Sequence, residues 1–518
     1  MSSALTYFLT IITAVLSVFS TFFYVKSLQQ GGYKLTKIID KNNLKLVRFT
    51  VCQAAVTLVF LTLSLLLYFT YQNLIFVSNI IEILIFILLF VELENKTSKI
   101  SPIFTNRIKR LYVLLFFLTA IFYLIINYFL PVEIVLVILA SFSVTEFLLV
   151  IFSFVITCPF EQINNYRYVK RAKEKFDKTK AIKIGVTGSY AKTSVKIILK
   201  TLLEENFNVV TFDKNYNTPL GIAITSKNLT DKTEVFIAEM GAKKQGDIRK
   251  LTKIFKPDIA VITGICAQHF ETFKSVENII KTKSEIYENF TDKNVVFFAS
   301  NSEYVIKMYK DFGGRKFLAG DMVYAKDVQL FCDHTEFTLV INNNKERCKT
   351  KLLGENAVEN IVLCSLVANK LGLEIEDIKR GIERLEYIPH RLELIQGNIT
   401  VLDDSYNANV VGITNSLGVL SLFSKEKNAL VSGLIEQGIN EKLANFDFGV
   451  RLGEVCDNVI LIDTKQSEYV KKGILKANPC AKIFTYKSVN EALTNINKVV
   501  KEDSVLLITA DLPDNYTK

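Results

Sequence analysis

Nearly all the long apolar runs of this chain lie before residue 160, and that segregation restricts its fold more than any motif does. They cover Leu5 to Val25, Phe49 to Tyr71, Leu74 to Leu93, Leu111 to Leu130 and Val132 to Thr157, each close to the roughly 20 residues that cross a bilayer as a helix. The pattern predicts five transmembrane helices, and the rest of the 518 residues leaves room for further domains.

Charge orients the spans. Lys26, Lys34, Lys37, Lys41, Lys45 and Arg48 lie between the first two runs, and Lys96, Lys99, Arg107, Lys109 and Arg110 between the third and fourth. The other two connections carry no Lys or Arg. The positive-inside rule then sets the N-terminus outside and delivers everything after Cys158 to the cytoplasm. The expected location is the cell (inner) membrane, multi-pass, with the later domains cytoplasmic. The first run lacks a basic leader and a small-residue cleavage site, so it reads as a retained span and not a signal peptide. Glu82 and Glu146 fall inside the third and fifth runs, where a carboxylate is costly unless paired, hydrated or protonated. They either seat a substrate head group or pack against Ser and Thr of neighbouring helices.

The net charge of +10 is confined to the membrane part: residues 1–183 hold 19 basic and 9 acidic residues, leaving 43 of each afterwards. A balanced soluble half argues against a nucleic-acid partner and for a small-molecule enzyme. The basic stretch Arg167, Lys170, Arg171, Lys173, Lys175, Lys178 and Lys180 suits anionic headgroups. Eight scattered cysteines without a C-x-x-C pair read as reduced thiols. With only His269, His334 and His390 present, a multi-histidine metal site is not expected.

Beyond the basic stretch, strand-like runs at Lys183 to Val186, Val209 to Phe212, Val235 to Glu239, Ile259 to Thr263 and Val295 to Ala299 alternate with helical patterns. Such alternation predicts a parallel sheet covered by helices. From Met322 to Leu353 the period drops to two around a turn at Asn342-Asn343-Asn344, followed by helical stretches at Asn356 to Leu371 and Ile375 to Leu385. A second set of strands at Ala429 to Ser432, Val459 to Ile462, Ile483 to Tyr486 and Val505 to Ile508 predicts a small doubly wound domain. The expected organisation is a membrane domain over 1–160, a basic linker over 161–180, an ATP-binding domain over 181–390 and a C-terminal domain over 391–518. The fold class is α/β: a polytopic helical membrane domain, then a P-loop parallel-sheet ATPase domain, then a Rossmann-like α/β domain.

The segment GVTGSYAKTS, Gly185 to Ser194, follows the first strand and opens a helix. Its turn, formed by Gly188, Ser189, Ala191, Lys192, Thr193 and Ser194, can aim backbone N–H groups at a polyphosphate. Lys192 can reach the terminal phosphates and Thr193 can hold Mg2+. Ala191 stands where a glycine is usual before the lysine, and Val186 where a standard P-loop has its first glycine. The loop alone therefore reads as a nucleotide site or as an ordinary strand–turn–helix junction.

Downstream motifs follow in order: YNTPLGIA, AEMGAKKQGDI, QHFETF, KTKSEI, GENAVEN, PHRLE and DDSYNAN. From about Ile182 onward this series resembles the Mur ligases, ATP-dependent amide-bond-forming enzymes of peptidoglycan synthesis, and most of all their D-alanyl-D-alanine-adding branch. The LPDNY ending, Leu512 to Tyr516, is similar to that of membrane-anchored members. The resemblance implies an enzyme that phosphorylates a carboxylate and joins the acyl phosphate to an amine, with ATP and Mg2+. It implies metal contacts from Thr193, Glu239, His269 and Lys283, the last as a carbamylated lysine, and catalytic parts for Lys192, Lys283, His269 and Arg391. It sets Asn360 at the adenine, Asp403 and Asp404 at the ribose, Arg391 on phosphate, Asn217, Thr218 and Pro219 toward the acceptor, and Asn407 and Asn409 near the amine. Each has a plainer reading: a solvated strand-end Glu239, a structural His269, a surface Lys283, an Asn360 helix cap, a hinge at Arg391, Asp403 and Asp404, and turn chemistry at the asparagines and Thr218.

Two departures bear on the substrate. The domain that grips a UDP-sugar in the family is replaced by the apolar runs, and no K-G-S-R segment precedes Lys518. Glu355 stands where many adding enzymes have histidine. The partners expected are therefore a small-molecule or lipid-linked carboxylate and an amino acid or dipeptide amine at the membrane face, with the oligomeric state left open. A poly-glutamate-type or folyl-glutamate-type ligase and a non-catalytic nucleotide-binding scaffold stand as alternatives.

Overall fold

The computed structural model describes residues 3–510 apart from 31, 34, 36–43, 72–73, 95–103, 212–216, 267–272, 407–408 and 436–440. Two compact units divide the chain, Met1–Asn165 and Tyr166–Lys518.

The first unit is all helix: α1 (Ser3–Gln30), α2 (Leu44–Thr70), α3 (Ile75–Glu94), α4 (Asn106–Phe129), α5 (Val132–Leu139) and α6 (Phe142–Lys178), the last carrying the chain into the second unit. Of the five spans expected, three are supported among the described residues. Among the described residues only Val51–Thr70, Asn106–Phe129 and Val144–Lys178 lie in helices long and apolar enough to cross a bilayer. Helices α1 and α3 run for 28 and 20 residues and are also apolar, with Thr6–Val18 and Ile75–Leu88 as their described apolar stretches. The run Val132 to Thr157, expected as one helix, breaks at Ala140–Ser141. There the Ser141 hydroxyl turns back to the Ile138 carbonyl at 2.7 Å, a local bond that competes with helix continuation.

In the second unit, strands β1 (Ile182–Thr187), β2 (Val209–Thr211), β3 (Val235–Glu239), β4 (Ile259–Ile262), β5 (Val295–Phe298) and β6 (Lys316–Leu318) form one parallel sheet in the order β2-β3-β1-β4-β5-β6. Every residue of β3 and β4 is buried, as a sheet covered on both faces requires. The helices Lys192–Leu203, Glu355–Lys370 and Ile375–Glu383 pack on one face. On the other lie Asp247–Phe255, Val276–Ser284 and the end of α6. There Phe176 meets Phe236 and Phe255 edge-on, with ring centroids 5.2 and 5.1 Å away.

A three-stranded antiparallel sheet follows: β7 (Val323–Leu330), β8 (Thr335–Ile341) and β9 (Asn344–Thr350). Asn342 and Asn343 have φ of 47° and 73°, the left-handed pair a two-residue hairpin turn demands. The last sheet joins β10 (Glu393–Ile395), β11 (Thr400–Asp403), β12 (Lys427–Val431), β13 (Asn458–Ile462), β14 (Lys482–Tyr486) and β15 (Val505–Ile508) in the order β10-β11-β15-β12-β13-β14. It is parallel except for the antiparallel edge strand β10. Strands β6, β10 and β11 were not among the sequence expectations.

Candidate functional site

The order of the first sheet reverses at β1, the position where open α/β sheets bind ligands beyond their strand ends. Three strand ends are tied together there: Met240 N donates to Val186 O and Thr263 N to Thr187 O, each at 2.8 Å. The loop after β1 rests on the turn after β4, with Ser189 N donating to Gly264 O at 2.8 Å and Thr263 Oγ1 to Tyr190 O at 2.5 Å. Gly188 and Gly264 are required by contact. A Cβ on Gly188 would lie 2.0 Å from Thr263 Oγ1, and one on Gly264 would lie 1.8 Å from the Tyr190 ring.

Ala191 is the N-cap of the helix Lys192–Leu203 and is left-handed, at φ 63° and ψ −2°. That backbone is the reason a glycine is usual at this place. Lys192 Nζ folds over the loop and donates to Gly188 O at 2.8 Å and Ser189 O at 2.9 Å. Burial lowers its pKa, with Arg391 adding to the effect and Glu239 opposing it.

Glu239, buried at the end of β3, accepts from Thr193 Oγ1 at 3.0 Å and lies 3.9 Å from Lys196 Nζ. A carboxylate and a hydroxyl side by side at a phosphate loop are hard oxygen donors of the kind Mg2+ takes, so the residues present fit that ion. Lys283 is 4% exposed on the helix Val276–Ser284, which rules out the plain surface reading. Burial and then the neighbouring Lys192 bring its pKa down to about 7. Arg391 Nη2 reaches Thr193 Oγ1 at 3.5 Å, and its guanidinium stacks 3.9 Å above the Tyr406 ring. Its Nε is buried without an acceptor.

Beside the loop is a cleft lined by Ala191, Ser194, Asn360, Arg391, Asp404 and Asn409, among others. Burial raises the Asp404 pKa to about 6, opposed by a hydrogen bond from Ser416 and by Arg391. Asp403 faces away from that group, accepting from His390 Nδ1 at 2.7 Å and Ser405 N at 3.0 Å. Thr218 Oγ1 caps the helix Pro219–Thr225 by accepting from Gly221 N, and Asn409 Oδ1 caps Val410–Ser421 by accepting from Gly412 N. Asn217 packs against Gly241. Glu355 is an exposed acid in the first turn of Glu355–Lys370, a favourable place for negative charge. His269 and Asn407 lie outside the described residues, as does the LPDNY ending.

The site thus gathers Lys192, Thr193, Glu239, Lys283 and Arg391, with Asn360, Asp404 and Asn409 along the adjoining cleft. It also contains residues the motifs did not single out. Tyr190 and Gly264 lock the loop. Asn301, after β5, lines the cleft with a buried Oδ1 lacking a partner, and its position just past a strand end was the available signal.

Comparisons with known proteins agree with this layout. Residues 186–368 match the family described as Mur ligase middle domain, and residues 390–512 that described as Mur ligase, glutamate ligase domain, together more than half of the chain. The UDP-N-acetylmuramoyl-tripeptide–D-alanyl-D-alanine ligase of Buchnera aphidicola is 25% identical over 360 residues, 66% of this chain and 77% of the relative. That of Rickettsia prowazekii is 28% identical over 353 residues, 65% of this chain and 77% of its own. The crystal structure of MurF ligase from Thermotoga maritima in complex with ADP superposes with a TM-score of 0.60 at 24% identity, covering 67% of this chain and 80% of the other.

Proposed function

The chain belongs to the Mur ligase family of ATP-dependent peptide ligases, and from that premise we propose that it joins a cell-envelope carboxylate, held at the membrane face, to a D-alanyl-D-alanine-type amine. The acceptor carboxylate attacks the terminal phosphorus of ATP, giving an acyl phosphate and ADP. The amine then attacks the acyl carbon and expels phosphate, leaving the amide.

The observation that carries this reading is the buried, unsatisfied Nε of Arg391 beside Thr193 and the Lys192 loop. An orphaned guanidinium donor at a phosphate loop calls for an anionic oxygen. Lys192 holds the terminal phosphates once it leaves the loop carbonyls, and Arg391 takes a phosphate oxygen. The cleft past Asn360 holds the base, and Asp404 the ribose. Thr193 and Glu239, with His269 and a carbamylated Lys283, would hold Mg2+, which would neutralise phosphate charge when bound. A lysine whose amine is half neutral near pH 7 is suited to carbamylation. Asn217, Thr218, Asn407 and Asn409 border the two organic substrates. The ATP-binding domain is read as 181–390 and the C-terminal domain as 391–518.

The dipeptide amine is supported by the D-alanyl-D-alanine ligases among the relatives. The membrane-face acceptor is supported by the three long apolar helices.

Purified full-length protein given ATP, Mg2+ and either UDP-linked or lipid-linked peptide precursor, with D-Ala-D-Ala or single amino acids, tests the reading. Acceptor- and amine-dependent ADP formation is expected, falling at least about 100-fold in Lys192→Ala. ADP formation that ignores every acceptor overturns the ligase assignment. Turnover of the UDP-linked form alone overturns the membrane-face acceptor, and turnover with glutamate but no dipeptide assigns the glutamate-adding alternative.

A further inference from the structure

Two histidines of the ligase part sit against carboxylates, and they differ in what balances the charge. His334 Nδ1 lies 2.6 Å from Asp333 and its Nε2 3.3 Å from Glu336, and Glu336 is also met by Arg347 at 3.1 Å and Lys349 at 3.6 Å. Fixed cations therefore close that cluster. His390 Nδ1 lies 2.7 Å from Asp403 Oδ2, and the His390 backbone N–H donates to Glu393 Oε2 at 3.0 Å. Among the described residues no lysine or arginine pairs with Glu393 or Asp403.

The strand register makes this second cluster harder to leave unbalanced. Glu393 and Asp403 are direct partners across the antiparallel pair β10–β11, and like charges directly opposite each other destabilise such a pair. A third carboxylate, Asp404, is close enough to feel the charge of Asp403. The imidazole and the two carboxylates offer ligand atoms that all lie within 4.8 Å of one another. Two ligands at about 2.1 Å from one ion stand about 3 Å apart, so small side-chain rotations close all three on a single ion. The His390 side chain is 59% exposed, so an ion can enter without any part of the fold opening. One imidazole nitrogen with two carboxylate oxygens suits Zn2+ better than Mg2+, which is held by oxygens and water.

We propose that His390, Glu393 and Asp403 form a binding site for a divalent first-row transition ion, Zn2+ in the first place, with water completing its shell. The ion takes the place of the proton on His390 Nδ1: an imidazolium releases that proton to solvent, and a neutral ring moves it to Nε2. His390 adjoins Arg391 and Asp403 adjoins Asp404, so the ion fastens the segment that carries Arg391 to the end of β11, beside the cleft. The site is separate from Thr193 and Glu239 and does not depend on the reading of the ligase reaction.

Full-length protein in phosphatidylcholine nanodiscs, freed of metal with EDTA and returned to excess Mg2+, tests this with Zn2+ as the probe. The wild type is expected to bind one Zn2+ that Glu239→Gln retains and to gain Tm from it. Binding is expected to be at least about tenfold weaker in His390→Gln and in Glu393→Gln. In metal-free buffer Glu393→Gln is expected to match or exceed the wild-type Tm, because it removes one of two facing charges. Zn2+ is also expected to shield His390, and not His334, from diethylpyrocarbonate, with adducts mapped by mass spectrometry. Equal Zn2+ affinity in the wild type and both variants overturns the proposal, as does loss of the ion in Glu239→Gln or a His390 that reacts equally with and without Zn2+. The labelling is read on the wild type alone, so it stands even where a variant fails to fold.

Discussion

Ala191 shows what a single methyl can cost. A left-handed alanine carries about 1–2 kcal/mol of steric penalty, and glycine would remove it while adding unfolded-state entropy. Ala191→Gly is therefore expected to raise stability by up to about 1 kcal/mol, read by urea unfolding, without weakening ATP binding; a loss of stability would show that the methyl contributes packing that outweighs the strain. Lys283 makes a pH-dependent prediction. Its folded pKa of about 7 lies below the 10.5 of an unconstrained lysine, so between those values the unfolded chain holds a proton the folded one lacks. Stability contributed at this site rises from pH 7 toward pH 10 and is lowest below pH 7. Lys283→Met is expected to flatten that rise in Tm. At this scale the sequence was most informative where residue type dictates chemistry, as at Lys192, Thr193 and Glu239. It was least so for Thr218 and Asn409, whose hydroxyl and amide cap helices in the structure, because the same side chains serve turns and substrates alike.

Buried parallel strands announce themselves as apolar runs, so the central strands β1, β3, β4 and β5 were legible. Three- and four-residue strands such as β6, β10 and β11 are too short to display a period and are held by their neighbours' hydrogen bonds. Helix α6 exceeded its expected reach for a different reason: its charged last turns look like a linker in composition, yet Ala172 and Phe176 on one face are each 1% exposed in the core under β3. Phe176→Ala is expected to cost about 3–5 kcal/mol by urea unfolding of the ligase part, far more than any change among the neighbouring lysines. A cost below 1 kcal/mol would mean that α6 contributes no core to the second unit.

At the scale of the whole chain, the division between an apolar helical part and a charged α/β part was legible from hydropathy alone. The number of spans was less so, because a window of apolar residues does not register a break such as Ala140–Ser141. The protein is expected to stay with the membrane pellet after carbonate extraction, and exposed Cys480 to resist a membrane-impermeant maleimide in intact cells and to react after lysis. Reaction of Cys480 in intact cells would reverse the orientation drawn from the lysine-rich connections. The phosphate loop also constrains how such chains diverge. The Tyr190 ring occupies the space that a side chain two residues after β4 would need, so a lineage that loses Gly264 must first shrink Tyr190. The two positions, 74 apart in sequence, are thus expected to drift as one inherited pair.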